Sequence, residues 1–405
     1  MNELRERIEA LPGMDVLLPA LEGLPPAYLV GGAVRDLLRG ADAVDLDVAV
    51  EGDAREVART VAERAGGSAV EHERFGTATV DAPGLTVDLA TTRRERYPEP
   101  GALPEIEPAA LADDLGRRDF TINAMAAGLS GDDLGVLHDP HGGRSDLSAG
   151  VVRALHERSF IDDPTRLLRA LRYEARLGGR LDPDSERLAR DAIAAGAPST
   201  VSGPRVRDEL LDLLGESAAP VALERMRELG LDRALDPRFV ADADAAASAM
   251  AGALETGADP ALAALAVLVA PNADALMDWL ERLSLGRDAR DRVARAAIAG
   301  PRIARELRAG LPASRIHKLL DREPPEALAV ALARGAPGEP VLRYLSDLRD
   351  VRLEITGDDL VAAGVPESPA IGRALDETLR RKLDGELSGR DAELECALEL
   401  ARAVS

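Results

Sequence analysis

Between residues 27 and 91 apolar and polar positions alternate in short runs. AYLV (27–30), VDLDVAV (44–50), GSAVEH (67–72), GTATVDA (76–82) and LTVDLAT (85–91) are rich in β-branched residues and bounded by Gly or Pro, which predicts strands. The period becomes helical at 33–39 and again from about Ala54 to Ala65. The last three strands follow one another as a hairpin or meander would, so the sheet is expected to be mixed rather than purely parallel. Residues 92–109, rich in Pro, Glu and Arg, read as a long loop. Strand signals then cease by about Arg144. From there to Ser405, Ala/Leu/Arg/Glu segments of helical period alternate with Gly/Pro breaks near 178–183, 196–204, 256–260, 299–301, 309–312, 335–340 and 364–369. The expected class is α+β: a small mixed-sheet domain over 1–150, a helical segment over 151–215, and a further all-α region over 216–405.

Composition narrows the class. With 46% hydrophobic and 30% charged residues, the chain reads as globular. Its longest stretch without a charge, Pro260 to Ala273, is too short to span a bilayer and contains Pro271. The densely charged N-terminus lacks an apolar core of the signal-peptide kind, and the lone Cys396 excludes a disulfide framework or a Cys-based zinc site. A cytoplasmic protein with no membrane partner is expected. The net charge of −22 has the wrong sign for a generic nucleic-acid binder. Local charge departs from it: Arg302, Arg305, Arg308, Arg315 and Lys318 face a single acid, Glu306, between 302 and 318. That segment is either a phosphate-binding surface or a solvated helix face.

Four groups of residues suggest chemistry. Gly31 and Gly32 follow a strand and open a helix, so backbone N–H groups can meet an anion there, with Arg35 one turn in. An ordinary strand–turn–helix corner would look the same. Asp45 and Asp47 share one face of a strand, opposite Val44, Leu46 and Val48. Two carboxylates at that spacing call for a cation between them, and Mg²⁺ with substrate phosphates is the natural one. Asp88 on a neighbouring strand could be a third carboxylate. Arg117, Arg118 and Asp119 sit at a loop-to-helix junction and suit a polyphosphate or ribose, or equally a surface ion-pair cluster. Asp162-Asp163-Pro164 starts a helix whose Arg166, Arg169, Arg172 and Arg176 share one face opposite Leu167, Leu168 and Leu171. That face suggests an anionic ligand.

In sequence order, LVGGAVRD (29–36), the Asp45/Asp47 pair, ERFGTATV (73–80), RRDFTINAM (117–125), DPHGGRSDL (139–147) and DDPTRLLRALRY (162–173) resemble the class II tRNA nucleotidyltransferases, whose head domain is shared with bacterial poly(A) polymerases. ITGDDLVAAGV (355–365) resembles their helical C-terminal part. The chain departs from the family in having Asp162 where Glu is usual, and Ser202-Gly203-Pro204-Arg205 where Ser-x-Glu-Arg is usual. The resemblance implies a nucleotidyltransferase head, a neck that recognises the base, and a body and tail that bind tRNA. It implies addition of CMP and AMP from CTP and ATP to the tRNA 3′ end, without a nucleic-acid template and without DNA as a partner. Asp45 and Asp47 would hold two Mg²⁺ ions; Gly31, Gly32, Arg35 and Arg118 would bind triphosphate and sugar. Asp163, Arg166, Arg169 and Arg172 would read the base. In the family the segment at 92–109 is associated with adding the final A, and here it is full length. Partial CC or A addition, poly(A) polymerase activity and a non-catalytic RNA-binding protein are the alternatives.

Overall fold

The computed structural model of the chain describes residues 3–41, 46–72 and 76–403. It forms two compact units, Met1–Glu209 with Arg225–Leu235, and Leu210–Glu224 with Asp236–Ser405.

The first unit is built on a sheet. Its strands are β1 (Ala27–Val30), β2 (Asp47–Val50), β3 (Ser68–His72), β4 (Thr77–Ala82), β5 (Leu85–Thr91), then β8 (Ala126–Gly128) and β9 (Leu137–His138), after a separate pair β6 (Arg93–Arg96) and β7 (Glu105–Pro108). The seven strands lie in the order β3-β4-β5-β2-β1-β8-β9. Only β2 and β5 run parallel, so the sheet is mixed, as expected. Pro83-Gly84 closes the β4–β5 hairpin in two residues, with Gly84 at φ +80°, where a side chain would be strained.

Alternation assigns the two faces. Ala27, Leu29, Val48, Val50, Ala78, Val80, Val87 and Leu89 pack under helices α1 (Glu3–Glu9), α2 (Met14–Ala20), α3 (Gly32–Arg39) and α4 (Ala54–Ala65). Tyr28, Val30 and Ala49 point the other way, against Leu111 and Leu115 of α5 (Leu111–Gly116). By the same parity Asp47, Thr79 and Asp88 stand on that second, less covered face. Helices α6 (Gly143–Ala149), α7 (Ser159–Asp162), α8 (Thr165–Leu177), α9 (Pro183–Ala194), α10 (Gly203–Gly215), α11 (Ala219–Leu229) and α12 (Leu231–Leu235) follow.

Three sequence expectations change. The segment 92–109 is not a plain loop: β6 and β7 pair antiparallel, with Arg94 opposite Glu107 and Arg96 opposite Glu105. Charge complementarity across strands stabilises a ribbon that lacks an apolar face. Strands also continue past 91, in β8, β9 and the two-residue parallel pair β10 (Val151–Val152) and β11 (Arg180–Leu181). Runs of two or three residues carry no alternation to detect.

The second unit is helical. Besides the parts of α10 and α11 within Leu210–Glu224, its helices are α13 (Ala243–Thr256), α14 (Pro260–Val269), α15 (Ala273–Arg282), α16 (Arg287–Leu307), α17 (Ala313–Leu320), α18 (Pro325–Ala333), α19 (Gly338–Arg343), α20 (Gly357–Ala362), α21 (Pro369–Leu383) and α22 (Arg390–Ala403). The uncharged run at 260–273 is explained by α14, buried from Leu262 to Val269. The third change lies here: α16 runs straight through the expected break at 299–301. A Cβ on Gly300 would sit 2.4 Å from Cγ1 of Val330, so this glycine is spent on close packing against α18 and not on a turn. Beyond it, Ile355, Leu360, Val365, Ala374, Ala397 and Ala401 form a small separate core. Among the described residues no helix is long and apolar enough to cross a membrane.

Candidate active site

Within the first unit, one cleft of about 710 Å³ collects most of the residues singled out in the sequence. Gly31 opens it, at φ +68° and ψ −129°. A Cβ there would be strained and would stand 3.0 Å from Nη1 of Arg118. Gly32 lines the same corner. Arg35 is 3% exposed and braced: Nε and Nη2 donate to Asp36 at 2.9 Å each, and Nη1 donates to Oδ1 of Asn123 at 2.8 Å. Its guanidinium also lies 5.1 Å from the Tyr173 ring centre. It forms part of the wall, with its charge already matched.

Asp45 lies outside the described residues, as does Glu73-Arg74-Phe75. Asp47 and Asp88 occupy one register pair of the parallel neighbours β2 and β5, both exposed. They line a second groove of about 410 Å³, and Asp47 lines the main cleft too. Thr79 donates its hydroxyl to Oδ1 of Asp88 at 2.5 Å. No group of three or more His, Cys, Asp or Glu side chains among the described residues could hold a metal ion. Two adjacent carboxylates on an exposed sheet face nevertheless fit a hard divalent cation, which takes oxygen ligands.

The Arg117–Arg118 pair is organised by Asp114 of α5. Arg117 donates Nε to it at 2.9 Å and Arg118 donates Nη2 at 3.0 Å. Burial pushes the Asp114 carboxyl up, but the two guanidiniums more than offset this and hold it below the usual range. Nε of Arg118 is buried without a hydrogen-bond partner among the described residues. Arg117 reaches Glu95 of β6 at 2.7 Å, and Tyr97 donates its hydroxyl to the same carboxylate at 3.1 Å. Burial, with the Glu95 and Asp163 charges, raises the Tyr97 phenol to about 12 against an opposing pull from Arg166.

Helix α8 supplies the opposite wall. Its arginine face is as the period predicts, but it is largely matched by protein groups. Arg166, 5% exposed, donates Nη1 to the Ser159 hydroxyl and Nη2 to the Arg117 carbonyl, both at 2.8 Å. Arg169 bridges Asp119 (2.8 Å) and Glu209 (3.0 Å). Arg172 also meets Glu209, at 3.0 Å. Asp119 in turn accepts from Asn123 at 3.0 Å, so Arg35, Asn123, Asp119, Arg169 and Glu209 form a continuous chain. Burial pushes the Asp119 carboxyl up, yet Arg169, Asn123 and Arg166 outweigh it and keep it low. His156 faces Nη1 of Arg166 at 3.4 Å; burial and that charge lower its pKa.

Asp163 pairs with Arg205 of α10 (2.7 Å) and not with Arg166. Its Oδ1 also accepts from the backbone and hydroxyl of Thr165, at 3.1 and 2.7 Å, so the residue does cap α8. No hydrogen bond reaches Oδ2 among the described residues. Arg205 donates as well to the Gly101 carbonyl at 3.0 Å, tying the β6–β7 connection to this point. Sequence reasoning noted Arg205 only as a departure and missed Glu95, Asp114, Asn123 and Glu209. Arg205 and Glu209 stand four apart on a helix whose Leu210, Leu213 and Leu214 are buried, a spacing that could have marked a polar face.

Residues 27–153 match the poly A polymerase head domain. A CC-adding tRNA nucleotidyltransferase of Deinococcus radiodurans is 36% identical over 373 residues, covering 90% of this chain and 87% of that protein. The chain belongs to the class II tRNA nucleotidyltransferase family. A solved apo structure of a CCA-adding enzyme superposes with a TM-score of 0.82 at 32% identity, over 95% of this chain and 94% of that one. An A-adding enzyme of Geobacter sulfurreducens is 36% identical over 400 residues, 93% of this chain but 45% of that protein. In Halalkalibacterium halodurans the A-adding enzyme is 44% identical over 211 residues, and the CC-adding enzyme 34% over 189. The first matches 51% of this nucleotidyltransferase chain and 49% of its own length, the second 46% and 44%. The chain thus spans about half the length of the A-adding relatives.

Proposed function

We propose that this chain adds nucleotides from CTP and ATP to the 3′ end of tRNA, building CCA and releasing pyrophosphate, in the cytoplasm and without a nucleic-acid template. The observation that carries the reading is the single cleft in which Gly31, Gly32, Asp47 and Arg118 face Asp163, Arg166 and Arg169. Asp45 and Asp47 would hold Mg²⁺, with Asp88 beside them as a further carboxylate. Bound there, the metal would activate the 3′-hydroxyl and neutralise charge on the phosphates. The chain's own groups do the rest. Free N–H groups at the start of α3 and the Arg118 guanidinium take the triphosphate. Arg166 holds the Arg117 carbonyl, and so fixes the turn that carries Arg118.

Cytosine and adenine share an amino donor beside a ring-nitrogen acceptor; uracil and guanine reverse it. A carboxylate only accepts and a guanidinium only donates, so Asp163 with an arginine suits C and A. Oδ2 of Asp163 would accept from the base amino group, while Arg205 holds Oδ1. The intact hairpin at 93–108, tied to Arg205, favours an activity that includes the terminal A.

A second reading, A addition alone, is favoured by the 44% against 34% identity to the two Halalkalibacterium enzymes. The experiment offers three tRNAs, ending before the first C, after one C and after both, with each nucleotide singly. Extension of all three, in the order C, C, A, supports full addition. Extension of the third alone with ATP selects the second reading. No extension of any tRNA refutes both.

A further inference from the structure

Two aromatic side chains line the main cleft, Tyr97 and Tyr173. Tyr173 is 6% exposed, and the guanidiniums of Arg35, Arg169 and Arg172 stand 5.1, 5.6 and 5.7 Å from its ring centre. Its face is already engaged by cations. Tyr97 differs. It is only half-buried, and it is carried by the β6–β7 ribbon and not by the helical wall. Its hydroxyl is anchored to Glu95, which Arg93 (3.0 Å) and Arg117 (2.7 Å) hold in turn. A ring fixed at its polar end presents its apolar body to whatever enters. Arg166 and Asp163, the latter named above for base selection, line the same cleft.

Aromatic residues are scarce in this chain, with four Tyr, four Phe and one Trp in 405 residues. A partly exposed one, anchored by an ion-pair network in the cleft that Asp163 also lines, is therefore informative. We propose that the Tyr97 ring stacks on the base of the incoming nucleotide, so that Tyr97 is a specificity-determining residue of this cleft. Stacking is indifferent to hydrogen-bond pattern but favours the larger π-face, so it should help adenine more than cytosine. The inference rests on the nucleotide-transfer reading of the cleft.

The test measures equilibrium binding of ATP, CTP and tripolyphosphate by calorimetry, without tRNA and with Mg²⁺ present. Stacking on an aromatic side chain is worth about 1–3 kcal/mol per base, so Tyr97→Leu should weaken ATP about 5- to 150-fold. Tyr97→Phe, which loses only the hydroxyl, should stay within about threefold, and Tyr97→Trp should bind ATP at least as well as Tyr97→Phe. CTP should lose less than ATP, and tripolyphosphate, which has no base, should be unaffected. Tyr97→Met replaces the Leu variant if that one does not fold. Equal ATP affinity in wild type and Tyr97→Leu overturns the proposal. So does a parallel loss of tripolyphosphate binding, which would make Tyr97 a strut for Glu95. Base-dependent loss in an enzyme that extends no tRNA would instead refute the tRNA reading and leave the stacking standing.

Discussion

Asp119 is the keystone of the polar chain in the cleft, and Asp119→Ala tests whether that chain supports the fold. The residue is 7% exposed and accepts from Asn123, from the Phe120 backbone and from Arg169. Truncation leaves the Asn123 amide without its partner and removes one of the two carboxylates that balance Arg169. An unsatisfied buried donor costs about 1–3 kcal/mol, and breaking a buried ion pair typically costs about 3–5 kcal/mol in all. Arg169 keeps Glu209 and the Tyr173 hydroxyl, so the lower end, about 3 kcal/mol, is expected. Urea unfolding of wild type and variant at pH 7 measures it. The pH dependence supplies an independent check. The folded-state pKa of Asp119 lies below its ordinary value, so its stabilisation is complete above the unfolded pKa of about 4. It is lost as pH falls below that and through the folded pKa. The gap between wild type and variant should therefore be constant from pH 7 to about pH 5 and narrow below about pH 4. A gap under about 1 kcal/mol at neutral pH, or one that widens on acidification, would refute the reasoning.

Four further outcomes are expected. Asp47→Ala should lower nucleotide incorporation at least about a hundredfold with an unchanged melting temperature, since it stands exposed on the sheet and would remove a metal ligand; retained turnover would count against the metal assignment. Gly31→Ala should destabilise by about 1–3 kcal/mol through its positive φ and should disturb Arg118, seen as weaker tripolyphosphate binding. Reversing Arg305 and Arg315 to Glu should reduce the slope of log tRNA affinity against log salt by roughly 0.7–0.9 for each phosphate no longer neutralised. Both are exposed, whereas Arg302 is paired with Glu323 and Arg308 is held by the carbonyls of Arg334 and Gly335, so the expected positive surface is smaller than the sequence suggests. Chelating divalent ions should weaken ATP binding at least about tenfold, read by the same calorimetry.

The sheet was legible where alternation was strong. The runs at 76–82 and 85–91 each bury one parity and leave the other more open, and the pattern also places Asp47 and Asp88 on one face, whereas 27–30 is buried on both. It failed where side chains were small or all charged. AAG at β8 has no period to read. The β6–β7 ribbon is specified by opposite charges across strands, visible only once the register is known. The site shows the same division. The spacing of Arg166, Arg169 and Arg172 places them on one side of a helix. What they touch depends on Glu209, Asp119 and Ser159, distant in sequence or on other elements. Asp163 likewise finds its ion-pair partner in Arg205 of α10, while the buried Arg166 is committed to Ser159 and a backbone carbonyl.

These partnerships bear on how an acidic chain accepts a polyanion. Among the described residues the cleft is lined by seven arginines and seven carboxylates, so these charges balance inside a chain of net charge −22. A neutral cleft exerts little long-range pull on a free nucleoside triphosphate, and the surrounding negative field repels it. Arginine's rigid fork makes the neutrality durable: Arg117, Arg169 and Arg205 each bridge two acceptors, so moving one guanidinium to a phosphate would strand a carboxylate in a partly buried place. A divalent cation on the Asp47 side would add positive charge without moving any of these guanidiniums. The triphosphate should then arrive as its metal complex. On this reading the doubly bridged Arg117, Arg169 and Arg205 would shape the cleft, leaving Arg118 to meet the triphosphate, and the sensitivity of ATP binding to chelation tests it.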